Sequence, residues 1–531
     1  MTAADEIETA KGSVQLSGGA VDLGAIVRPA NALRAVLANV DAARTTLEAS
    51  ASTWTLGPIS RERAQALAGI EDSAGAAARA VAGIDALPAL LGANGERRYF
   101  VAFDTPAELR GTGGVIGYYA VLVVRHGKIS LGPIGRPEGL TTKALRGPPV
   151  PLWFERAYGR YGALYGLESL NLSADFPSMS QMLLASLPPS IGSFDGVIQL
   201  DPQMLSAFLK LTGPVAVPAW PGAISSDTVE RITEHDSYIR FAANNDARIA
   251  FLGELVSSVF ERLFGRRFAL DRSTLSTFGT LAGGGHIQVY STDPSSQRAL
   301  EAIGLARDLT RAGAATDVLG VVGNNFDGNK IDWYLSRKVS YDVTLHPSTG
   351  EARSHLDVDL HNDAPSSGVP DYVIGSLSPQ AARGTNRQLL VILRTHGDDP
   401  ISVTNAGTST QVSRDAEQEL VGYHDVLNIP PHASTAIRAT LVTANALAGN
   451  GRDRTYILDV LSQPTVRADA VSIAVHVPRG WSVDGPTTFS GPLTHDVVLQ
   501  LHLHESLVAS MFDAFIARPF RLAVGLLRHL F

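Results

Sequence analysis

Residues 104–119, DTPAELRGTGGVIGYY, set Arg110, the carboxylates Asp104 and Glu108, and the closely spaced Gly111, Gly113 and Gly114 behind the apolar run YFVAF. Those residue types are what an anion site uses: glycine lets backbone N–H groups converge, and a guanidinium adds planar donors. A dinucleotide fingerprint needs G-x-G-x-x-G with its last glycine opening a helix. Here Gly111 and Gly113 fit, position 116 is Ile116, and Gly117 comes one residue late. The VIGYYAVLVV that follows is strand-like, so no helix N-terminus faces a phosphate. Gly-Lys-Ser/Thr is absent as well. Two readings remain. One is a hairpin or bulge whose glycines take positive φ, with Arg110 paired to Glu108. The other is an anion nest of turn N–H groups completed by Arg110.

Further arginines bear on that choice. Arg136 ends a strand in SLGPIGRPEG, with Glu138 two residues on, and YIRFAANNDARIAF carries Arg240 and Arg248 with Asp246 just before the second. Eight residues is about 2.2 turns, so a continuous helix puts both arginines on one face. The Asn244-Asn245-Asp246 run instead suits a break with a new helix capped there. Arg110, Arg136, Arg240 and Arg248, with Asp104, Glu108 and Glu138 beside them, can ring one pyrophosphate, each charge-assisted hydrogen bond contributing roughly 1.5–3 kcal/mol. His235-Asp236 near Tyr238 reads as an acid/base pair or as helix-surface polarity. His502 and His504 share one side of a strand, as two metal ligands do, but no third ligand accompanies them and a solvated face is the better reading. Neither a Gly-x-Ser-x-Gly elbow nor His-Glu-x-x-His is present.

The elements that must hold these residues fall into four stretches. Residues 1–94 read as a helical hairpin or stalk: Leu33, Val36, Leu37, Val40 and Leu47 recur at helical steps, as do Leu67, Ile70, Val81, Ile84 and Leu87, around the break SASTWTLGPIS. Residues 95–325 alternate strands such as RRYFVAF and FDGVIQL with helices, some opened by Asp175 before Pro177 or Asp201 before Pro202, which predicts an α/β layered domain. Residues 326–490 are alternating segments between turns, which predicts an antiparallel, immunoglobulin-like β-sandwich. Residues 491–531 predict a strand and then an amphipathic helix, MFDAFIARPFRLAVGLLRHLF, whose Arg518, Arg521 and Arg528 suit a membrane interface; docking on its own domain is the alternative.

Composition narrows the function classes. At 531 residues, 45% hydrophobic and 18% charged, the chain is a folded protein of several units. Its net charge of -8 argues against generic nucleic-acid binding. Only six of its 44 basic residues are lysine, so arginine supplies most of the cationic groups. With no cysteine, thiolate catalysis and cysteine metal sites are excluded, and an exported bacterial protein is suggested. No signal peptide or spanning stretch is visible, which leaves a cytoplasmic location as the alternative.

RRYFVAFDTPAELRGTGGVIGYYAVL, LNLSADFP and FDGVIQLDPQMLSAFLKLTGPV together resemble the bacterial family of unknown function DUF4012, whose members show A-E-x-R-x-x-G-G and D-G-V-I-x-x-D-P-x-x-L cores. Members typically carry an N-terminal membrane anchor and act outside the cytoplasm. A more distant likeness is to the LytR-CpsA-Psr envelope phosphotransferases, which pass a polyprenyl-pyrophosphate-linked glycopolymer to peptidoglycan using arginines, acids and magnesium. That resemblance implies an α/β fold of their type and matches Asp104 to their first Asp, Arg110 and Arg136 to their turn and second arginines, and Arg240 and Arg248 to their lipid-pyrophosphate arginines. It implies Asp104 and Arg110 as catalytic residues, Asp104 and Glu138 as Mg2+ ligands, and a lipid-linked glycan with a membrane surface or anchored partner. The acid expected after Arg110 is replaced by Gly111 and Thr112, and Pro137 separates Arg136 from Glu138. A non-catalytic envelope scaffold with a degenerate phosphotransferase-like domain is the second reading.

Overall fold

The run YFVAF has no polar position to turn toward water, so a strand made from it must be covered on both faces. The computed structural model describes residues 15–49, 57–138, 140, 149–269, 272–311, 316–395, 399–409 and 412–505, and there strand Arg97–Arg110 lies third in an eight-stranded mixed sheet. Val101 and Phe103 face helices Pro202–Thr212 and Asn245–Gly265. Phe100 and Ala102 face helices Leu152–Tyr158 and Phe176–Ser186. Arg97–Arg110 pairs parallel with Gly196–Leu200 and antiparallel with Gly113–Arg125.

The glycine-rich segment is the turn of this hairpin, Arg110 standing opposite Gly113. Its glycines serve close approach. A Cβ on Gly114 would stand 2.2 Å from the Thr105 carbonyl, and one on Gly113, whose φ is +141°, would stand 2.5 Å from Asp104 Oδ2. Two irregularities, at Phe103/Asp104 and Thr105/Leu109, bend the strand just where its polar residues begin.

Helices Leu23–Ala49 and Gly57–Leu90 pack on one another, with Arg34 and Asp85 paired between them. The start signals at Asp175 and Asp201 are working caps: their carboxylates accept from Ser178 N, and from Gln203 N and Met204 N. The long helix expected across Arg240 and Arg248 is broken. It passes through a π-helical stretch, Ile232–Asp236, ends at Arg240, and resumes as Asn245–Gly265 capped by Asn244.

Beyond residue 316 two sheets share one apolar core. Strand Thr316–Asn325, which the sequence reading assigned to the α/β unit, hydrogen-bonds into the first of these sheets between Asn386–Thr395 and Asp453–Leu461, so the 325/326 boundary moves upstream. Its residues are apolar on both faces: Leu319 and Val321 enter the core between the sheets, whereas Val318 and Val322 face the α/β helices. Strand Val497–Glu505, expected as a C-terminal addition, joins the same sheet. The expected interfacial helix and the first fourteen residues lie outside the described residues. Among the described residues no helix is long and apolar enough to cross a membrane.

Candidate functional site

Phe103 and Leu200 are the last register partners of the parallel pair, so the residues after them, Asp104 and Asp201, lie side by side where that pairing stops, Asp201 just past the end of Gly196–Leu200 and Asp104 at the irregularity midway along Arg97–Arg110. That end of an α/β sheet is where ligands usually sit. A cavity of about 280 Å³ opens there. One wall is apolar, formed by Phe103, Leu200, Leu205, Leu252 and Val256; the other carries Asp104, Arg136, Glu234, Tyr238, Lys330 and Tyr372.

Asp104 is 5% exposed. Its Oδ2 accepts from Gly114 N and Gln199 Nε2, both at 2.9 Å, whereas its Oδ1 has no hydrogen-bond partner among the described residues. Burial first, then the neighbouring Asp201 and Glu234, push this carboxyl well above the usual carboxylate range. Glu234, aimed inward by the π-helical stretch, accepts from Thr105 Oγ1 at 2.7 Å and Ala107 N at 2.8 Å, and burial raises it to about 7 against the pull of Lys330. Lys330 Nζ donates to Thr105 Oγ1 at 2.8 Å and Glu108 Oε2 at 3.1 Å. Burial opposes its charge, but Tyr238 and Glu108 outweigh this and hold the ammonium above its ordinary range. Asp201 both caps its helix and meets His286 Nδ1 at 2.5 Å.

The four arginines do not surround one point. Arg110 is buried and engaged: Nε donates to Glu168 O at 3.1 Å, Nη1 donates to Leu109 O and Asn325 O at 2.9 Å, and Glu108 stands 4.0 Å away. It ties the hairpin to its neighbours through Glu168 and Asn325, with the Glu108 contact that the hairpin reading named at the 4.0 Å limit. Arg136 lines the cavity, paired with Glu138 and 5.2 Å from the Tyr118 ring centre. Arg240 lies apart, over Trp220 and Phe241.

Arg248 differs from all of these. It is 5% exposed, stands 4.2 Å and 4.5 Å from the ring centres of Tyr238 and Tyr372, and donates to Asn245 Oδ1. Among the described residues its Nε has no hydrogen-bond partner and it makes no ion pair. By contrast the buried Arg337, Arg394 and Lys330 each meet a carboxylate. Desolvating a guanidinium costs several kcal/mol, and each ring returns roughly 0.5–2 kcal/mol. Arg248 does not itself line the cavity; it stands behind Tyr238 and Tyr372, which do, as a buried positive charge with no carboxylate partner among the described residues.

Asp104 and Glu138, the two carboxylates matched to magnesium, both line the cavity. Glu138 is held by Arg136, one Asp104 oxygen is used by Gly114 and Gln199, and among the described residues no group of three or more His, Asp or Glu side chains is placed to hold a metal ion. Asp246 is exposed in the first helical turn, and Asn245 rather than Asp246 contacts Arg248. His235 does pair with Asp236 at 2.9 Å, and its other nitrogen meets Tyr334 Oη at 2.7 Å, but neither lines the cavity. His502 and His504 have separate partners, Thr455 and Gln500 for one, Asp453 and Asp484 for the other. Lys330, Glu234 and Tyr372 were missed by sequence reasoning, and Asp201 was read only as a cap. The signals available were slight: a rare lysine in GNNFDGNK, and an acid inside a helical run.

Residues 94–238 form a domain that matches the model of a family described as a protein of unknown function, DUF4012. The match includes Asp104, Arg110, Arg136 and Glu234, and leaves Arg248, Lys330 and Tyr372 outside it. No curated protein matches the chain. Among solved structures, a protein of Legionella pneumophila described as a candidate nutrient-binding protein is similar at 10% identity and a TM-score of 0.22, over 35% of this chain and 70% of that one. An M1 zinc metallopeptidase from Deinococcus radiodurans is similar at 12% identity and a TM-score of 0.20, over 32% of this chain and 42% of its own. Leukotriene A4 hydrolase from Saccharomyces cerevisiae is similar at 7% identity and a TM-score of 0.20, over 32% of this chain and 29% of its own. The chain spans less than half the length of these two enzymes, and likenesses of this size carry no argument about fold or function.

Proposed function

We propose that the chain binds the polar end of an anionic amphiphile in the cavity at Asp104 and Asp201, and that at the cell envelope this ligand is a polyprenyl-phosphate- or pyrophosphate-linked glycopolymer. The observation that carries the reading is Arg248, a buried guanidinium without a carboxylate, set behind Tyr238 and Tyr372. An anion in the cavity supplies the missing counter-charge, with Arg136 as a second donor once the exposed Glu138 swings away. The apolar wall of Leu205, Leu252 and Val256 suits a hydrocarbon chain, and carboxylates beside tyrosine rings suit sugar hydroxyls. The envelope location and the lipid-linked glycan rest on the resemblance to DUF4012 and LytR-CpsA-Psr proteins.

Binding without transfer is the second reading, a scaffold that keeps a ligand site. It is favoured by Arg110, whose donors are taken by backbone carbonyls, and by Arg240, which lies away from the cavity. The test is mass spectrometry of lipids extracted from the purified chain, followed by titration with a prenyl phosphate. Arg248→Ala is expected to weaken binding at least tenfold and Arg240→Ala to change it less than twofold. Equal effects of the two substitutions, or no binding by the unaltered chain, would overturn the proposal.

A further inference from the structure

The charges around the cavity say more about the ligand's head, given the reading above on which this inference rests. Lys330 faces Glu108 at 3.1 Å, Arg110 has Glu108 at 4.0 Å with Asp332 and Glu168 near it, and Arg136 is held by Glu138 until that exposed side chain swings away. Arg248 is the cation that meets no carboxylate among the described residues. From where the parallel pairing stops and from the π-helical stretch, Asp104, Asp201 and Glu234 line the same space, and Glu168 borders it. A head with several negative charges would meet these carboxylates with one uncompensated cation to answer it. A carboxylate balances Arg248, and a monophosphate, with about one and a half to two negative charges near pH 7, exceeds it by far less than a diphosphate does.

Asp104 then needs a role. Its Oδ2 is fixed by Gly114 and Gln199, and its unpartnered Oδ1 belongs to a side chain 5% exposed on the cavity wall. An ionised Asp104 would repel an anion there, whereas the neutral acid has a proton on Oδ1 to donate. We infer that the cavity takes an amphiphile whose head bears one acidic group, a monophosphate or carboxylate rather than a diphosphate, answered by Arg248 and accepting a hydrogen bond from Asp104 Oδ1. Burial together with Asp201 and Glu234 favours that neutral form, while Gly114 N–H opposes it. Lys330 is bonded to Glu108 and His286 to Asp201, neither of them to Asp104.

The experiment titrates the whole chain with farnesyl monophosphate, farnesyl diphosphate, farnesol and inorganic phosphate. Farnesyl monophosphate is expected to bind at least tenfold more tightly than each of the other three. Its affinity should fall as pH rises, and Asp104→Asn should flatten that fall by at least tenfold between pH 6 and 9, the ligand's own ionisation being common to both proteins. A diphosphate bound as tightly or more tightly, or a pH profile that Asp104→Asn leaves unaltered, would sink this inference and leave the proposed function standing. Inorganic phosphate matching the farnesyl ester, or none of the four binding, would remove both.

Discussion

At the scale of single residues, the informative contrast is between two buried arginines. Arg337 meets Asp469 through Nε at 2.7 Å and Nη2 at 2.9 Å, a two-pronged pair with both partners buried. Arg248 has two tyrosine rings, an asparagine oxygen and no carboxylate. Breaking a buried pair leaves a stranded charge, so Arg337→Met is expected to lower stability by about 3–5 kcal/mol. Arg248→Met removes a stranded charge and keeps the volume against Tyr238 and Tyr372. It should therefore leave the ligand-free chain as stable as before, or more stable by about 1–2 kcal/mol, while abolishing ligand-induced protection. Urea unfolding of both variants, with and without farnesyl monophosphate, measures this. Destabilisation of the ligand-free chain by Arg248→Met to the same degree as Arg337→Met would mean that Arg248 is structural.

At the scale of elements, the hairpin Arg97–Arg110/Gly113–Arg125 and the capped helices were legible in the sequence because each depends on neighbours along the chain. YFVAF specifies a strand covered on both faces, Asp201-Pro202 specifies a helix start, and Asn244 specifies the new helix that the arginine spacing alone left open. The site was legible only in part. Asp104, Arg136 and Arg248 were identified by type, but Arg110 and Arg240 have the same type and different surroundings. Lys330 and Tyr372 reach the cavity from beyond residue 325, and no local pattern encodes a contact made across two hundred residues. Strand Thr316–Asn325 was ambiguous because a run apolar on both faces fits either sheet. The hairpin also yields a prediction. Since a Cβ on Gly114 would lie 2.2 Å from the Thr105 carbonyl, Gly114→Ala must displace the strand and weaken its N–H bond to Asp104. It should cost about 1–3 kcal/mol. Gly117→Ala, whose nearest atoms would be 3.8 Å away, is the control and should be close to neutral by the same urea titration. Equal stabilities for the two would show that the hairpin relaxes without loss.

At the scale of the whole molecule, the α/β unit meets the two-sheet stack across a buried acid. Glu417, at the end of edge strand Ser413–Glu417, is wholly buried and accepts from Tyr158 Oη at 2.5 Å and Ser173 Oγ at 2.6 Å, both on the α/β side. Val318, Leu389, Val391 and Leu393 of the stack complete the same apolar cluster as Phe154 and Phe176. Burial lifts the Glu417 carboxyl from 4.5 to about 7, the bonds from Ser173 and Tyr158 pulling back against it and Asp175 adding to it. The folded chain thus holds this proton more tightly than the unfolded chain. Its contribution to stability is complete below pH 4.5 and is lost as pH rises through about 7. Glu234, raised to about 7 in the cavity, and Asp104, held well above its ordinary range, act in the same direction, so the unaltered chain carries these effects together. Glu417→Gln keeps the shape and removes one of them. Between pH 5 and 8 the variant should lose less stability than the unaltered chain, by a margin on the order of 2–3 kcal/mol. Urea unfolding at the two pH values, followed by tryptophan fluorescence, gives the comparison. Equal losses in the two proteins would mean that Glu417 is ionised in the folded state and that the contact between the units does not respond to pH through this residue.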